Sequence, residues 1–120
     1  MKPRKTGPRA DAERRLDALW SAAIRRRAEG RCEHCHTPGL IESAHVIPRR
    51  YRRTRWDPAN GIGMRTECHR RFTDRPAEFR AWLESARPGQ YDALWSVARE
   101  TGPISVEFLA DAERRLTTKF

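Results

Sequence analysis

Residues 31–74 read RCEHCHTPGLIESAHVIPRRYRRTRWDPANGIGMRTECHRRFTD, a run that holds all three cysteines and all four histidines of a 120-residue chain. Within it, Leu40–Ile47 is apolar at both ends with polar residues between, and predicts a strand that stops at Pro48. A loop from Arg49 to Asn60 follows, then a short strand over Ile62–Arg65. A helix is predicted to open near Thr66 or Glu67 and to carry Cys68, His69 and Phe72. The order is strand, long loop, strand, helix, led by a Cys32-x-x-Cys35 turn.

The flanks have a different texture. Residues 1–9, with Pro3, Gly7, Pro8 and four cations, read as a flexible basic arm. From Ala10 to Glu29 the apolar residues Leu16, Trp20, Ile24 and Ala28 recur every four positions, which predicts an amphipathic helix. Asp11 is placed to cap its start and Gly30 its end. Beyond Pro76 three helices are predicted, over 76–86, 91–100 and 105–116, separated by Arg87-Pro88-Gly89 and Thr101-Gly102-Pro103. The aromatic residues Trp20, Phe79, Trp82, Trp95 and Phe108 fall on helical stripes and read as core. Two phrases recur: DAERRL at 11–16 and 111–116, and DALWS at 17–21 and 92–96. Their spacing is irregular, so they mark similar amphipathic helices and no solenoid period. At this length the expectation is one domain, 1–120: an arm over 1–9, a helix over 10–30, a core over 31–75 and a helical extension over 76–120.

Charge points to a partner class. Lys and Arg number 25 against 16 Asp and Glu, for a net charge of +9, and 22 of the cations are arginine. The excess is local. Residues 1–31 carry 10 cations against 4 acids, residues 32–75 carry 9 against 5, and residues 76–120 carry 6 against 7. A thin-cored cationic chain of this kind suits a polyanion, most often nucleic acid. No run approaches the roughly 20 apolar residues of a membrane span, and the basic N-terminus lacks the apolar segment of a secretory signal.

Three cysteines cannot all pair with one another, and a small secreted domain would show an even framework. A reducing, cytoplasmic setting and a metal site fit better. A Cys-x-x-Cys turn aims two thiolates at one tetrahedral ion, and structural zinc then needs two more ligands. Cys68 is the third. A second Cys-x-x-Cys ending at Cys68 would need cysteine at position 65, which is Arg65, so His36, or less easily His34, is left as the fourth. The alternative is three cysteines packed together without zinc.

Taken together, Cys32-x-x-Cys35, Ala44-His45-Val46-Ile47-Pro48, Asn60-Gly61 and Cys68-His69 resemble the zinc-containing HNH endonucleases of the ββα-metal superfamily. The resemblance covers residues 31–74, and the small size is similar to HNH proteins of bacteriophages and mobile elements. It implies an α+β fold: a ββα-metal core with one helix before it and two or three after it. It also implies metal-dependent hydrolysis of DNA phosphodiesters, including nicking, with little sequence specificity. His45 then stands where the general base stands, Asn60 where an asparagine pins the long loop, and His69 where a ligand to a catalytic divalent cation (Mg²⁺, Mn²⁺, Ni²⁺ or Zn²⁺) stands. The knuckle zinc would be structural. Three positions depart from the pattern: Ala44 replaces a coordinating Asp or His before the base, Thr73 replaces the last ligand, and Arg65 replaces a cysteine. Asp74 could reach the ion if the helix ends there.

Five arginines, Arg49, Arg50, Arg52, Arg53 and Arg55, alternate with Tyr51 and Trp56 between His45 and Asn60. Guanidinium forks match phosphate oxygens and aromatic rings stack on bases, so this loop is read as a DNA-binding surface, extended by Arg70 and Arg71 on the following helix. Charges of one sign would repel without a polyanion. Two rival readings remain at this level: a zinc-stabilised DNA-binding module that has lost catalysis, and an adaptor whose C-terminal helices dock on a larger DNA-processing protein.

Overall fold

A computed structural model of the chain describes residues 4–118. Helix α1 (Pro8–Ala28) is followed by strand β1 (Glu42–His45), a short helix α2 (Arg52–Arg55) and a 3-10 turn over Pro58–Asn60. Strand β2 (Gly61–Met64) comes next, then α3 (Thr66–Asp74), α4 (Pro76–Ala86), α5 (Gln90–Ala98) and α6 (Val106–Thr117). The ββα unit is therefore present, with one helix before it and three after it. No helix among the described residues is long and apolar enough to cross a membrane.

Helix α1 starts earlier than its apolar stripe suggests. Pro8 sits at the first helical position, where its fixed φ and missing N–H cost nothing, so Pro8 and Arg9 belong to α1 and not to an arm. The rest of the predicted arm divides: residues 1–3 lie outside the described residues, and residues 4–7 precede the helix. Gly7 holds the cap position, and Asp11 lies inside the first turn, where a carboxylate favours the helix dipole. The helix ends where Glu29 and then Gly30 turn left-handed, with φ of 52° and 76°.

The two strands pair antiparallel, with Ser43 opposite Gly63, Ala44 opposite Ile62 and His45 opposite Gly61. β1 is shorter than predicted, with the exposed Leu40 outside it, and β2 keeps its predicted length but lies one residue earlier, starting at Gly61, because Arg65 serves as the N-cap of α3. Strand alternation assigns the faces. Gly61 and Gly63 turn toward α1, so Ser43 and His45 do too, while Glu42, Ala44, Ile62 and Met64 face the other way. β2 is buried throughout because helices cover both sides.

Each side has its own core. Ile47, Ile62, Met64, Phe72, Leu83 and Leu94 form one, with Cys32 among them. Leu16, Trp20, Ile24, Trp56, Leu109 and Leu116 form the other, between α1 and α6. The two DAERRL phrases thus contribute Leu16 and Leu116 to the same core, and Arg15 of one pairs with Glu113 of the other.

The glycines of β2 set how closely α1 approaches the sheet. A Cβ on Gly61 would lie 2.6 Å from Ile24 Cγ1 and 2.7 Å from Trp20 Cζ2, both immobile core groups. The φ of Gly61 is −124°, an ordinary extended value, so the obstacle is purely steric. Gly61→Ala is therefore expected to cost about 1–3 kcal/mol by overpacking and to lower the melting temperature by several degrees in a thermal scan.

Candidate functional site

The Cys32–Cys35 turn is fixed by its backbone: Cys32 N–H donates to Thr37 at 3.0 Å and His36 N–H donates to Cys32 at 2.8 Å. Glu33, between the cysteines, anchors the turn to the rest of the fold. Its carboxylate accepts from Gly63 N–H (2.7 Å), Arg27 Nη2 (2.7 Å) and Arg87 Nη2 (3.1 Å), joining β2, α1 and the end of α4. Cys68 enters from the first turn of α3. The ligand atoms of Cys32, Cys35 and Cys68 all lie within 4.8 Å of one another, a grouping that fits a metal ion. Hydrogen bonding to Thr37 holds the exposed Cys35 thiol down at about 6, whereas burial, followed by its neighbouring thiols, pushes Cys68 up to about 12.

The histidine beside this cluster is His34, with Nδ1 3.2 Å from Cys68 Sγ and its ring edge-on to Phe72 and Trp82. His34 is thus the knuckle histidine in contact with a cysteine, although like His36 it lies outside the three-cysteine grouping. His36 takes a left-handed φ of 62° to make the Cys32 bond, and its side chain is exposed outside the three-cysteine grouping. Arg65, in the place of a fourth cysteine, lies against Gly39 and pairs with Glu67.

His45 closes β1 on the α1 side of the sheet. Its Nε2 is 3.0 Å from the Arg55 carbonyl. A carbonyl can only accept, so Nε2 carries the proton and Nδ1 keeps the lone pair. The imidazole lies flat on Trp20, with centroids 3.9 Å apart and planes 6° apart. Burial lowers the His45 pKa, with Arg49 and Arg55 acting in the same direction and the Arg55 carbonyl and Asp17 opposing them.

Asn60 is fully buried and closes the loop on itself. Its Oδ1 accepts from Ile47 N–H at 2.7 Å and its Nδ2 donates to the Ile47 carbonyl at 3.2 Å. A third bond, Val46 N–H to the Asn60 carbonyl at 2.9 Å, completes the clasp. The two ends of the 49–59 loop are thereby held together directly after His45.

His69 stands elsewhere. On the exposed side of α3, its Nδ1 is 2.8 Å from Glu42 Oε1, and Thr66 Oγ1 donates to the other Glu42 oxygen at 2.9 Å. The His69 bond leads in holding the Glu42 carboxyl below its usual value. Glu42 points away from the α1 side where His45 lies, and no hydrogen bond or ring contact joins the two histidines. Thr73 Oγ1 donates to the His69 carbonyl at 2.8 Å, and the exposed Asp74 ends α3. Ala44 is buried.

The arginine loop is not the uncompensated patch that its composition suggests. Asp17 of α1 accepts from Arg55 Nε (2.9 Å) and Nη2 (2.7 Å), Trp56 Nε1 (2.8 Å) and Arg49 Nη2 (3.0 Å). Burial would raise the Asp17 carboxyl, but these partners outweigh it and keep the group ionised. Glu13 pairs with Arg52 at 2.6 Å, and Arg53 donates to the carbonyls of Thr101 and Gly102. Repulsion among these arginines is therefore relieved within the fold, by counter-charges 32 to 39 residues upstream. Arg50 lies over Tyr51, Arg71 pairs with Glu78, and Arg70 is exposed on α3. Spacing had no means of marking Asp17, Trp20, Glu33 or Glu42. The nearest signal is that Asp17 and Trp20, three apart, share a helix face.

A sequence model of one protein family, described as HNH endonuclease, matches residues 26–76. No curated protein and no solved structure matches the chain.

Proposed function

We propose, from the premise that residues 26–76 belong to the HNH endonuclease family, that the chain hydrolyses DNA phosphodiester bonds with His45 as general base. The observation that carries this reading is the state of His45. Its Nε2–H is committed to the Arg55 carbonyl, and its free Nδ1 is kept unprotonated by burial. Nδ1 takes a proton from water as the water oxygen bonds to phosphorus. The bond from phosphorus to the 3′ oxygen breaks, and the products are a 5′-phosphate and, after protonation, a 3′-hydroxyl.

His69 is the residue that would hold a catalytic divalent cation. Donation of Nδ1–H to Glu42 leaves Nε2 free, the arrangement by which a carboxylate orients a metal-binding imidazole. Thr73 shares its helix face at i+4, and Asp74 follows. Such an ion, when bound, would neutralise charge on bound phosphate; the Glu42–His69 pair lies on the sheet face away from His45, so this ligand and the base are not brought to one phosphate by the fold as it stands. The three cysteines and His34 would hold a structural zinc. Arg49, Arg50 and Arg70 are the exposed cations we assign to the phosphate backbone, contacts that position DNA without reading its sequence.

The pH dependence has a definite sign. The base works only when neutral, and its pKa lies below the ordinary 6.5. Nicking rate plotted against pH is therefore expected to reach half its plateau below pH 6.5. The unfolded chain takes up this proton before the folded one, so the stability contributed by neutral His45 falls as pH drops through 6.5. A half-maximum above pH 7 would remove His45 from the role.

A second reading, a zinc-stabilised DNA-binding module, is favoured by Ala44, which offers no ligand, and by the Thr73 hydroxyl already given to its own helix. Supercoiled plasmid separates the two. Open circles formed with Mg²⁺, Mn²⁺, Ni²⁺ or Zn²⁺ and stopped by EDTA support hydrolysis. Salt-sensitive retention of DNA without cutting supports the module.

A further inference from the structure

We propose that Asp17 and Trp20, both on α1 and both ahead of the segment matched to the family, are positioning residues for His45. The inference rests on the reading of His45 as a base and adds what holds it ready. A histidine that must take a proton at one ring nitrogen needs a fixed plane and a fixed tautomer.

Trp20 supplies the plane. Its indole covers one face of the imidazole at 3.9 Å and 6°, and its own orientation is set by Nε1–H donating to the Asp57 carbonyl at 2.8 Å. Rotation of the imidazole would break the stack. The tautomer comes from the Arg55 carbonyl, and Asp17 fixes where that carbonyl lies. Two bonds to the Arg55 guanidinium and one to the Trp56 indole lock residues 55 and 56 against α1. A fourth, from Arg49, holds the other end of the loop. One carboxylate thus grips both arms of the loop that carries the acceptor.

Asp17 also acts through charge. The charged groups facing His45 are Asp17 from α1 and Arg49 and Arg55 from the loop. Asp17 alone among them favours the imidazolium formed as the proton is taken, and it pairs with both arginines that oppose it. It touches neither water nor phosphate in this account, which is why its role is positioning.

The test uses the full chain. Asp17→Asn keeps the size of the side chain and removes its charge. Trp20→Phe keeps an aromatic face and removes the N–H, and it makes the same comparison if the first variant folds poorly. The imidazole tautomer of His45 is read from a long-range ¹H–¹⁵N spectrum, alongside nicking kinetics. The native protein is expected to show a single Nε2–H tautomer. Either variant is expected to show mixed tautomers and about a tenfold lower kcat with KM within about twofold. His45 signals and kcat unchanged in both variants would overturn the proposal and leave Asp17 and Trp20 as packing. A native protein that cuts no DNA would defeat the nuclease reading alone, because the tautomer spectrum still decides whether α1 positions the ring.

Discussion

His45→Ala is expected to slow plasmid nicking by about 10²- to 10⁴-fold, the usual contribution of a general base, while DNA retention stays close to that of the native protein. The two halves of this expectation have different origins. The rate falls because the groups nearest Nδ1 are already committed: Asp17 is occupied by Arg49, Arg55 and Trp56, and Trp20 covers one face of the ring. Retention is expected to persist because the substitution leaves the exposed Arg49, Arg50 and Arg70 in place. The substitution also removes one stacked ring from a half-buried position, worth roughly 1 kcal/mol, so the variant should remain folded. A combined loss of retention and melting temperature would mean that His45 is structural. A separate rate loss identifies it as the base.

Removal of zinc is expected to have the largest effect on stability. Cys32 is fully buried in the core formed by the sheet and α3–α5, and Cys68 belongs to the first turn of α3. An ion held by Cys32, Cys35, Cys68 and His34 would tie the knuckle to that helix, and the two-stranded sheet would rest on the same unit. Structural zinc contributes several kcal/mol of folding energy or more, a large share of the roughly 5–15 kcal/mol that a domain possesses. Metal analysis should therefore find close to one zinc per chain, and a strong chelator should lower the melting temperature by about 10 °C or more. Cys32→Ser should have a similar effect with no chelator present. Protein free of zinc, with a melting temperature indifferent to chelation, would assign the cysteines to packing.

What could be read from the sequence, and what could not, divides along the range of the interactions. The order strand–loop–strand–helix is local, carried by the Leu40–Ile47 pattern, Pro48, the Asn60-Gly61 turn and the amphipathic run after Arg65, and the structure reproduces it. The clustering of Cys32, Cys35 and Cys68 was also legible, because a Cys-x-x-Cys turn beside a lone cysteine has few other uses. The choice between His34 and His36 was not: it depends on a left-handed residue inside the knuckle and on Phe72 and Trp82, which no spacing rule anticipates.

The arginine loop shows the same limit more sharply. Read alone, Arg49–Arg55 is a block of like charge. Folded, three of its five arginines pair with Glu13 and Asp17 of α1. Trp20 was rightly placed in a core by its four-residue spacing, yet the same ring forms the floor beneath His45. A periodic pattern tells which face is buried and is silent on what is buried against it. Glu42 carries no local signal for the same reason, since its partner His69 lies 27 residues on, across the turn into α3.

If His45 directs water onto phosphorus with departure of the 3′ oxygen, the ends left at a nick carry its signature. Plasmid nicked by the native protein with a divalent cation should be sealed by DNA ligase without prior treatment, because each nick should carry a 3′-hydroxyl and a 5′-phosphate. Nicks that ligase cannot seal, or sealable nicks formed equally fast by the His45→Ala protein, would contradict it.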